Sequence, residues 1–380
     1  MIQRELEREI RKRMGERKAV IIMGPRQVGK STLFHSIFDH EDGVLWLNAD
    51  NGAEGDLLRD ASAQRIRTIV GRNRYLVIDE AQQLHNAGLT LKRIHDYVPE
   101  VQLFATGSSA FHLADEIKES LTGRKWEYRL YPLSFGEMVS HSNVPTEMSM
   151  LSHRMVYGYY PEVVSRPGDE ASLLRMLADD YLYKDVLKLE NIKRTSSLST
   201  LTKALAMQIG SQVSYNELGQ MVGLDSKTVE KYIDILEQSF IVFRLGSFSR
   251  NLRNELKKSR KIYFYDLGIR NAVLNNFTPL ENRAPEEVGA LWENFIIAER
   301  IKYCDYHGLY CNRYFWRTTS QQEIDYIEER NGRLHAFELK WNPRARAKMP
   351  LAFERSYGSM STFTVINRDN YVDYLITADN

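Results

Sequence analysis

Residues Ala19-Val-Ile-Ile-Met-Gly-Pro-Arg-Gln-Val-Gly-Lys-Ser-Thr32 pass from an apolar run into a glycine-spaced loop and then into residues of helical character. The run has strand length, and Gly24 to Ser31 fits G-x-x-x-x-G-K-[ST]. In such a loop the glycines let backbone N–H groups turn inward, and a helix beginning near Lys30 adds the partial positive charge of its N-terminus. Strand, loop and helix in this order make a phosphate-binding P-loop and place the chain in the α/β class, with a parallel sheet wound with helices. The nucleotide-contacting candidates are Gly24, Pro25, Arg26, Gln27, Val28, Gly29, Lys30, Ser31 and Thr32. Lys30 is expected to reach phosphate oxygens and the Ser31 hydroxyl to ligate magnesium, so ATP and Mg2+ are the implied ligand and cofactor.

Outward from the loop, Val44–Leu47, Tyr75–Ile78 and Gln102–Ala105 read as further strands, each ending where polar or glycine residues begin. Tyr75-Leu-Val-Ile-Asp-Glu80 is a strand buried on both faces that delivers two acids. Asp79 is the candidate holder of magnesium through water, and Glu80 the candidate that polarises the attacking water. Thr106-Gly-Ser-Ser109 ends the neighbouring strand; Ser108, with Thr106 second, is a candidate for the γ-phosphate or the water, and the competing reading gives these residues only a turn and a helix cap. Arg124 is the candidate arginine finger offered to a neighbouring subunit, which implies at least transient homo-oligomers; the competing reading is a solvated loop arginine.

With 51 Lys and Arg against 50 Asp and Glu, the net charge of +1 demands no polyanionic partner, so any nucleic-acid surface must be local. Two cysteines, Cys304 and Cys311, are too few for a disulfide framework, and only His307 lies between them as a third metal ligand. They read as ordinary thiols of a reducing, cytoplasmic setting. No run approaches the roughly 18 to 20 apolar residues of a membrane helix. The first fourteen residues read as an amphipathic helix with Ile2, Leu6, Ile10 and Met14 on one face, and not as a secretory signal.

From about residue 150 the pattern turns helical, most clearly over Glu170–Leu189. Between Leu198 and Phe248 a helix, the capping box Ser214-Tyr-Asn-Glu217, Gly223, a helix capped by Asp225 or Ser226 and running to Gln238, and the strand Phe240–Leu245 read as a helix-turn-helix with a following strand, as in winged helices. Arg250–Lys261 is basic, with Glu255 its one acid, and is expected to act as a wing touching DNA phosphates, with Lys227 and Lys231 adding to that surface; a solvated loop or a protein contact is the alternative. A helix follows over Glu286–Tyr303, then strands about an Asn331-Gly332 turn.

Gly24–Thr32, Val77-Ile-Asp-Glu-Ala-Gln82, Ala105–Ser109 and Leu130-Tyr-Pro-Leu-Ser-Phe-Gly-Glu137 resemble the AAA+ ATPases of bacteria and archaea that carry a C-terminal domain of unknown function. Gly158-Tyr-Tyr-Pro161, Lys261–Gly268 and Gly289-Ala-Leu-Trp-Glu-Asn-Phe295 extend the resemblance over nearly the whole chain. It implies an AAA+ core at 1–140, a helical segment or lid at 141–195, a winged helix at 196–265 and a restriction-endonuclease-like domain at 266–380.

A two-residue hairpin turn at Asn331-Gly332 makes paired positions sum to 663, so Asp325 faces Glu338 and Glu323 faces Lys340. Strand alternation then puts these four on one face and Ile324, Tyr326, Phe337 and Leu339 on the core face. Opposed carboxylates repel unless a cation sits between them. Asp…Glu-x-Lys is the magnesium nuclease constellation of restriction-endonuclease-like folds, and by the resemblance Glu293 is a further acid. Three readings stand: phosphodiester cleavage with Lys340 aiding the water, binding without cleavage, and a solvated charged face. The function expected is ATP hydrolysis that drives or gates a module acting on or binding DNA; the rival is a nucleotide-controlled scaffold with no C-terminal chemistry.

Overall fold

All five residues of Ala19–Met23 are buried, which is what an apolar run becomes when helices cover both faces of its sheet. The computed structural model describes residues 2–108, 120–179, 195–249 and 260–377. This run is β1. With β2 (Val44–Asn48), β3 (Tyr75–Asp79), β4 (Gln102–Gly107) and β5 (Lys125–Arg129) it forms a sheet in the order β2-β3-β4-β1-β5. Every pairing in it is parallel. The four expected strands are therefore present. Edge strand β5, Lys-Trp-Glu-Tyr-Arg, carries charges along its length, and these disfavour pairing with another chain.

Helix Lys30–Phe38 follows the loop and buries Leu33, Phe34, Ile37 and Phe38. Phe34 and Phe38 meet Phe104 of β4 edge-on, with ring centroids 5.7 and 4.9 Å apart. Each buried ring contributes about 2 kcal/mol, enough to fix the helix, and hence the loop before it, against the sheet. The N-terminal helix is shorter than expected, Leu6–Arg11, and Leu6 and Ile10 are its buried pair. These elements lie in one compact unit, residues 1–132 with 238–240.

The second unit comprises 133–237 and 241–380. Its sheet contains β6 (Gln212–Val213), β7 (Val242–Ser247), β8 (Arg260–Phe264), β9 (Asn312–Arg317), β10 (Glu323–Arg330), β11 (Arg333–Leu339) and β12 (Ser361–Ile366), ordered β12-β11-β10-β9-β7-β8-β6. Because β7 pairs in parallel with β9, strands from the segment read as a winged helix and from the C-terminal segment run in one sheet. Helices Thr195–Met207, Tyr215–Val222 and Ser226–Gln238 precede β7. Ser214 caps the second through the Glu217 N–H, and Asp225 caps the third through the Lys227 and Thr228 N–H groups. The turn between these two helices is tight: a Cβ at Gly219 would lie 2.5 Å from the Leu224 carbonyl oxygen. Of the helix expected over 170–189, Glu170–Asp179 is described and the remainder lies outside the described residues.

Two motifs that carried the resemblance meet each other here. Asp266 accepts from the Tyr159 and Ile269 N–H groups at 2.7 and 3.1 Å. A Cβ on Gly158 would lie 2.1 Å from its carboxylate, and one on Gly268 would lie 2.3 Å from the Tyr157 carbonyl oxygen. Those glycines are required by close packing of chain on chain.

Candidate functional site

Three strand ends meet at the P-loop. β4 lies between β1 and β3, so Thr106 at its end stands next to the acid that ends β3. Ser31 Oγ donates to Asp79 Oδ2 at 2.7 Å, and Thr106 Oγ1 donates to Asp79 Oδ1. Thr106 Oγ1 also accepts the Glu80 N–H at 3.0 Å. The fully buried threonine thus fixes Asp79 at the end of β3 and the backbone of Glu80 just beyond it. Glu80 has φ 51°, a left-handed conformation uncommon for a residue with a side chain. Gln82 Nε2 donates both to the Glu80 carboxylate and, at 2.8 Å, to Ser108 Oγ. Thr106 therefore touches the acids directly, whereas Ser108 reaches Glu80 through Gln82, whose role the sequence reading did not single out.

The loop itself is shaped by close approach. A Cβ at Gly24 would lie 2.2 Å from the Leu130 carbonyl oxygen, and Gly29 has φ 91°. Arg4 braces it from the N-terminal segment, donating to the Val28 carbonyl at 2.6 Å and to that of Tyr131 at 2.7 Å. No short-range signal in the sequence marks that arginine. Lys30 is buried, and its Nζ donates to the carbonyls of Gly24 at 3.0 Å and Pro25 at 2.7 Å. Arg124 lies elsewhere: its carbonyl accepts the Ala19 N–H, at the end of β1 opposite the loop, and its Nε donates to Asp96 at 2.9 Å. The structure does not bring it to this chain's own P-loop.

In the second unit, the C-terminal candidates gather. The hairpin has the expected register, with Arg330 opposite Arg333 and Tyr326 opposite Phe337. Strict alternation fails at one point, because β10 has an irregularity against β9 between Ile324 and Ile327. As a result Ile324 joins Ile327, Leu334 and Ala336 in one core cluster, while Tyr326 packs on Phe337 away from it. The expected opposition of Glu323 and Lys340 does not become an ion pair. Lys340 Nζ bonds Glu338 at 2.6 Å, and Glu323 Oε1 bonds Lys261 Nζ at 2.6 Å.

Lys261, read as part of an exposed basic wing, is instead 1% exposed. Residues 250–259 of that wing lie outside the described residues. Arg260 is tied to Tyr215 at 2.9 Å, and Lys227 and Lys231 are exposed on their helix. On β8 Lys261 and Tyr263 alternate onto one side, where both bond Glu293 Oε1 of helix Pro285–Tyr306, at 2.9 and 2.5 Å. Asp325 Oδ2 accepts the Leu339 N–H at 2.8 Å. Glu293, Asp325 and Lys340 border a cavity of about 760 Å³ that Arg283, Trp341 and Arg368 also line.

Burial pushes the Glu293 carboxyl up to about 7, aided by Asp325 and opposed by Lys261 and Tyr263. Burial also raises Asp325 and Glu338, against the pull of nearby lysines. For Lys261, burial disfavours the charge, but Glu293, Glu323 and Asp325 outweigh it and hold the ammonium above the ordinary lysine range.

Cys304, Cys311 and Glu328 bring one ligand atom each within 4.8 Å of one another, a grouping the sequence reading missed because Glu328 comes from β10. Both Glu328 oxygens already meet the Arg300 guanidinium, at 2.9 and 3.3 Å, so its charge is matched. The hydrogen bond from Cys304 draws the Cys311 thiol down to about 7. Among the described residues, no helix is long and apolar enough to cross a membrane.

Set against known proteins, residues 16–139 match a family described as an AAA domain, 148–280 a domain of unknown function (DUF8612), and 288–375 a second domain of unknown function (DUF4143). Uncharacterized protein Rv2008c of Mycobacterium tuberculosis is 24% identical over 339 residues, 89% of this chain and 73% of that protein. An uncharacterized protein of Haemophilus influenzae is 26% identical over 273 residues, 66% of this chain and 68% of its own. A Walker-type ATPase of Pyrococcus abyssi aligns with a TM-score of 0.48 at 15% identity, over 72% of this chain and 96% of that one. The chain thus carries an AAA domain and a C-terminal DUF4143 domain, the combination its motifs resembled.

Proposed function

We propose that this AAA-domain protein binds ATP with magnesium at Gly24–Thr32 and hydrolyses it, and that the nucleotide cycle gates a C-terminal module that binds DNA. The observation that carries the reading is the hydrogen-bonded line from Ser31 through Asp79 and Thr106 to the backbone of Glu80. The donor set suits Mg2+, since Ser31 and Asp79 offer hard oxygens 2.7 Å apart beside the loop. Magnesium held by those two residues would neutralise charge on the phosphates. Lys30 exchanges its two carbonyl partners for phosphate oxygens, a stronger, charge-assisted pairing. Glu80, released by Gln82, accepts a proton from the attacking water and leaves it the better nucleophile. Arg124 acts on the nucleotide of a neighbouring copy.

For the second unit, binding is favoured over cleavage because each carboxylate of its cluster already has a partner within the chain. DNA contact falls to the exposed Lys227 and Lys231 and to the basic segment 250–259. ATP hydrolysis by the full chain, with and without duplex DNA at two salt concentrations, tests both halves. Turnover stimulated by DNA, and less so as salt rises, is expected. Turnover indifferent to DNA, with no salt-dependent affinity, would leave the scaffold reading in its place.

A further inference from the structure

The Asp325, Glu338, Lys340 and Glu293 constellation is expected to close around a divalent metal, yet the contacts within the chain describe a centre that already has its cation. Lys261 extends from β8 across the Phe315 ring of β9, its Nζ 5.4 Å from the ring centroid, and ends between two acids. It lies 2.9 Å from Glu293 and 2.6 Å from Glu323, which belong to a helix and to a strand three places away in the sheet order. One ammonium therefore joins three elements. Lys340 takes up Glu338 at 2.6 Å, and the Leu339 N–H takes up Asp325 at 2.8 Å. Arg317 adds a longer contact to the other Glu323 oxygen at 3.5 Å.

A magnesium ion needs near-octahedral oxygens at about 2.0–2.1 Å and keeps several waters, so on Glu293 Oε1 it would have to displace Lys261 and Tyr263, and on the second oxygen of that carboxylate it would stand against the Lys261 ammonium. The displaced Lys261 would have nowhere to go: its side chain is 2% exposed, and a buried ammonium stripped of its carboxylates is strongly unfavourable. The residues present do not fit the metal, in contrast to Ser31 and Asp79.

We infer that Lys261 is the built-in cation of the C-terminal carboxylate cluster, supplying Glu293 and Glu323 with the positive charge a divalent metal would bring, so that this centre is assembled and works without metal. The inference rests on the reading of this unit as a binding module and deepens it. Removing the ammonium while keeping its length should turn the cluster into a metal site.

Calorimetric Mn2+ titration of the full chain without nucleotide or DNA tests this, so that a failure of DNA binding or of ATP turnover does not affect the result. Wild type and Glu293→Gln/Asp325→Asn are expected to give the same isotherm. Lys261→Met is expected to gain one Mn2+ site at least about tenfold tighter than anything in wild type, a gain lost again when Glu293→Gln/Asp325→Asn is added. Should Lys261→Met not fold, the first comparison decides alone. Mn2+ bound by wild type and lost in Glu293→Gln/Asp325→Asn would overturn the inference.

Discussion

Lys30 and Lys261 are both buried lysines, and they differ in the partners that hold them. Lys30 donates to two neutral backbone carbonyls, which an anionic phosphate outcompetes. Lys261 sits between two carboxylates, which a phosphate does not displace. The difference teaches that a lysine poised for an incoming anion is held by weak partners, and one that builds a fold is held by strong ones. The acids obey the same rule. Asp79 is held by the neutral hydroxyls of Ser31 and Thr106, whereas Glu293 and Glu323 share an ammonium.

The sharpest break between the two lysines comes from removing each in turn. Lys30→Ala is expected to lower ATP turnover at least about 100-fold, since it deletes a charge aimed at the transferring phosphoryl group, with little loss of thermal stability. Lys261→Met should do the reverse, leaving Glu293 to Tyr263 and Glu323 to the longer Arg317 contact without their shared ammonium, and lowering the melting temperature while ATP turnover per folded molecule stays within about twofold. Phosphate release and thermal unfolding on both variants check this pair.

Next in size, Thr106→Val removes a hydroxyl that serves Asp79 and the Glu80 N–H together. It should cost about 2 kcal/mol of stability, the scale of a lost bond to a charged group, and lower turnover about tenfold. Ser108→Ala, one residue further from the acids, should cost less on both counts. A larger effect at Ser108 would reverse the order of the two hydroxyls.

The smallest effect concerns pH. A carboxyl whose folded pKa is raised binds its proton in the folded chain at pH values where the unfolded chain has released it. Stability from Glu293 is therefore present below the ordinary glutamate range and is lost as pH rises from there to about 7. Melting temperatures near pH 5 and pH 8 are expected to differ less in Glu293→Gln than in wild type. Equal differences would show that the Glu293 proton is not linked to folding.

Much of the P-loop unit was legible because each element announces itself locally. The apolar runs, the glycine spacing and the acids ending Tyr75–Asp79 are all neighbours in sequence. The order that puts β4 between β1 and β3, and so selects Thr106, is a long-range outcome that no local pattern gives. In the second unit the Asn331-Gly332 turn and its register were readable from the dipeptide. The irregularity near Asp325 was not, because it arises against β9 rather than within the hairpin. Lys261 was misread for want of one step: Arg260-Lys-Ile-Tyr-Phe264 is a strand, and treating it as one would have turned Lys261 and Tyr263 to one side.

The most direct test measures steady-state phosphate release by wild type, Glu80→Gln and Asp325→Ala side by side, with ATP and Mg2+. The loss should fall on Glu80→Gln, by about 100-fold or more with nucleotide binding retained, while Asp325→Ala keeps the wild-type rate. Wild-type turnover in Glu80→Gln, or its disappearance in Asp325→Ala, would contradict the assignment of hydrolysis to the P-loop centre.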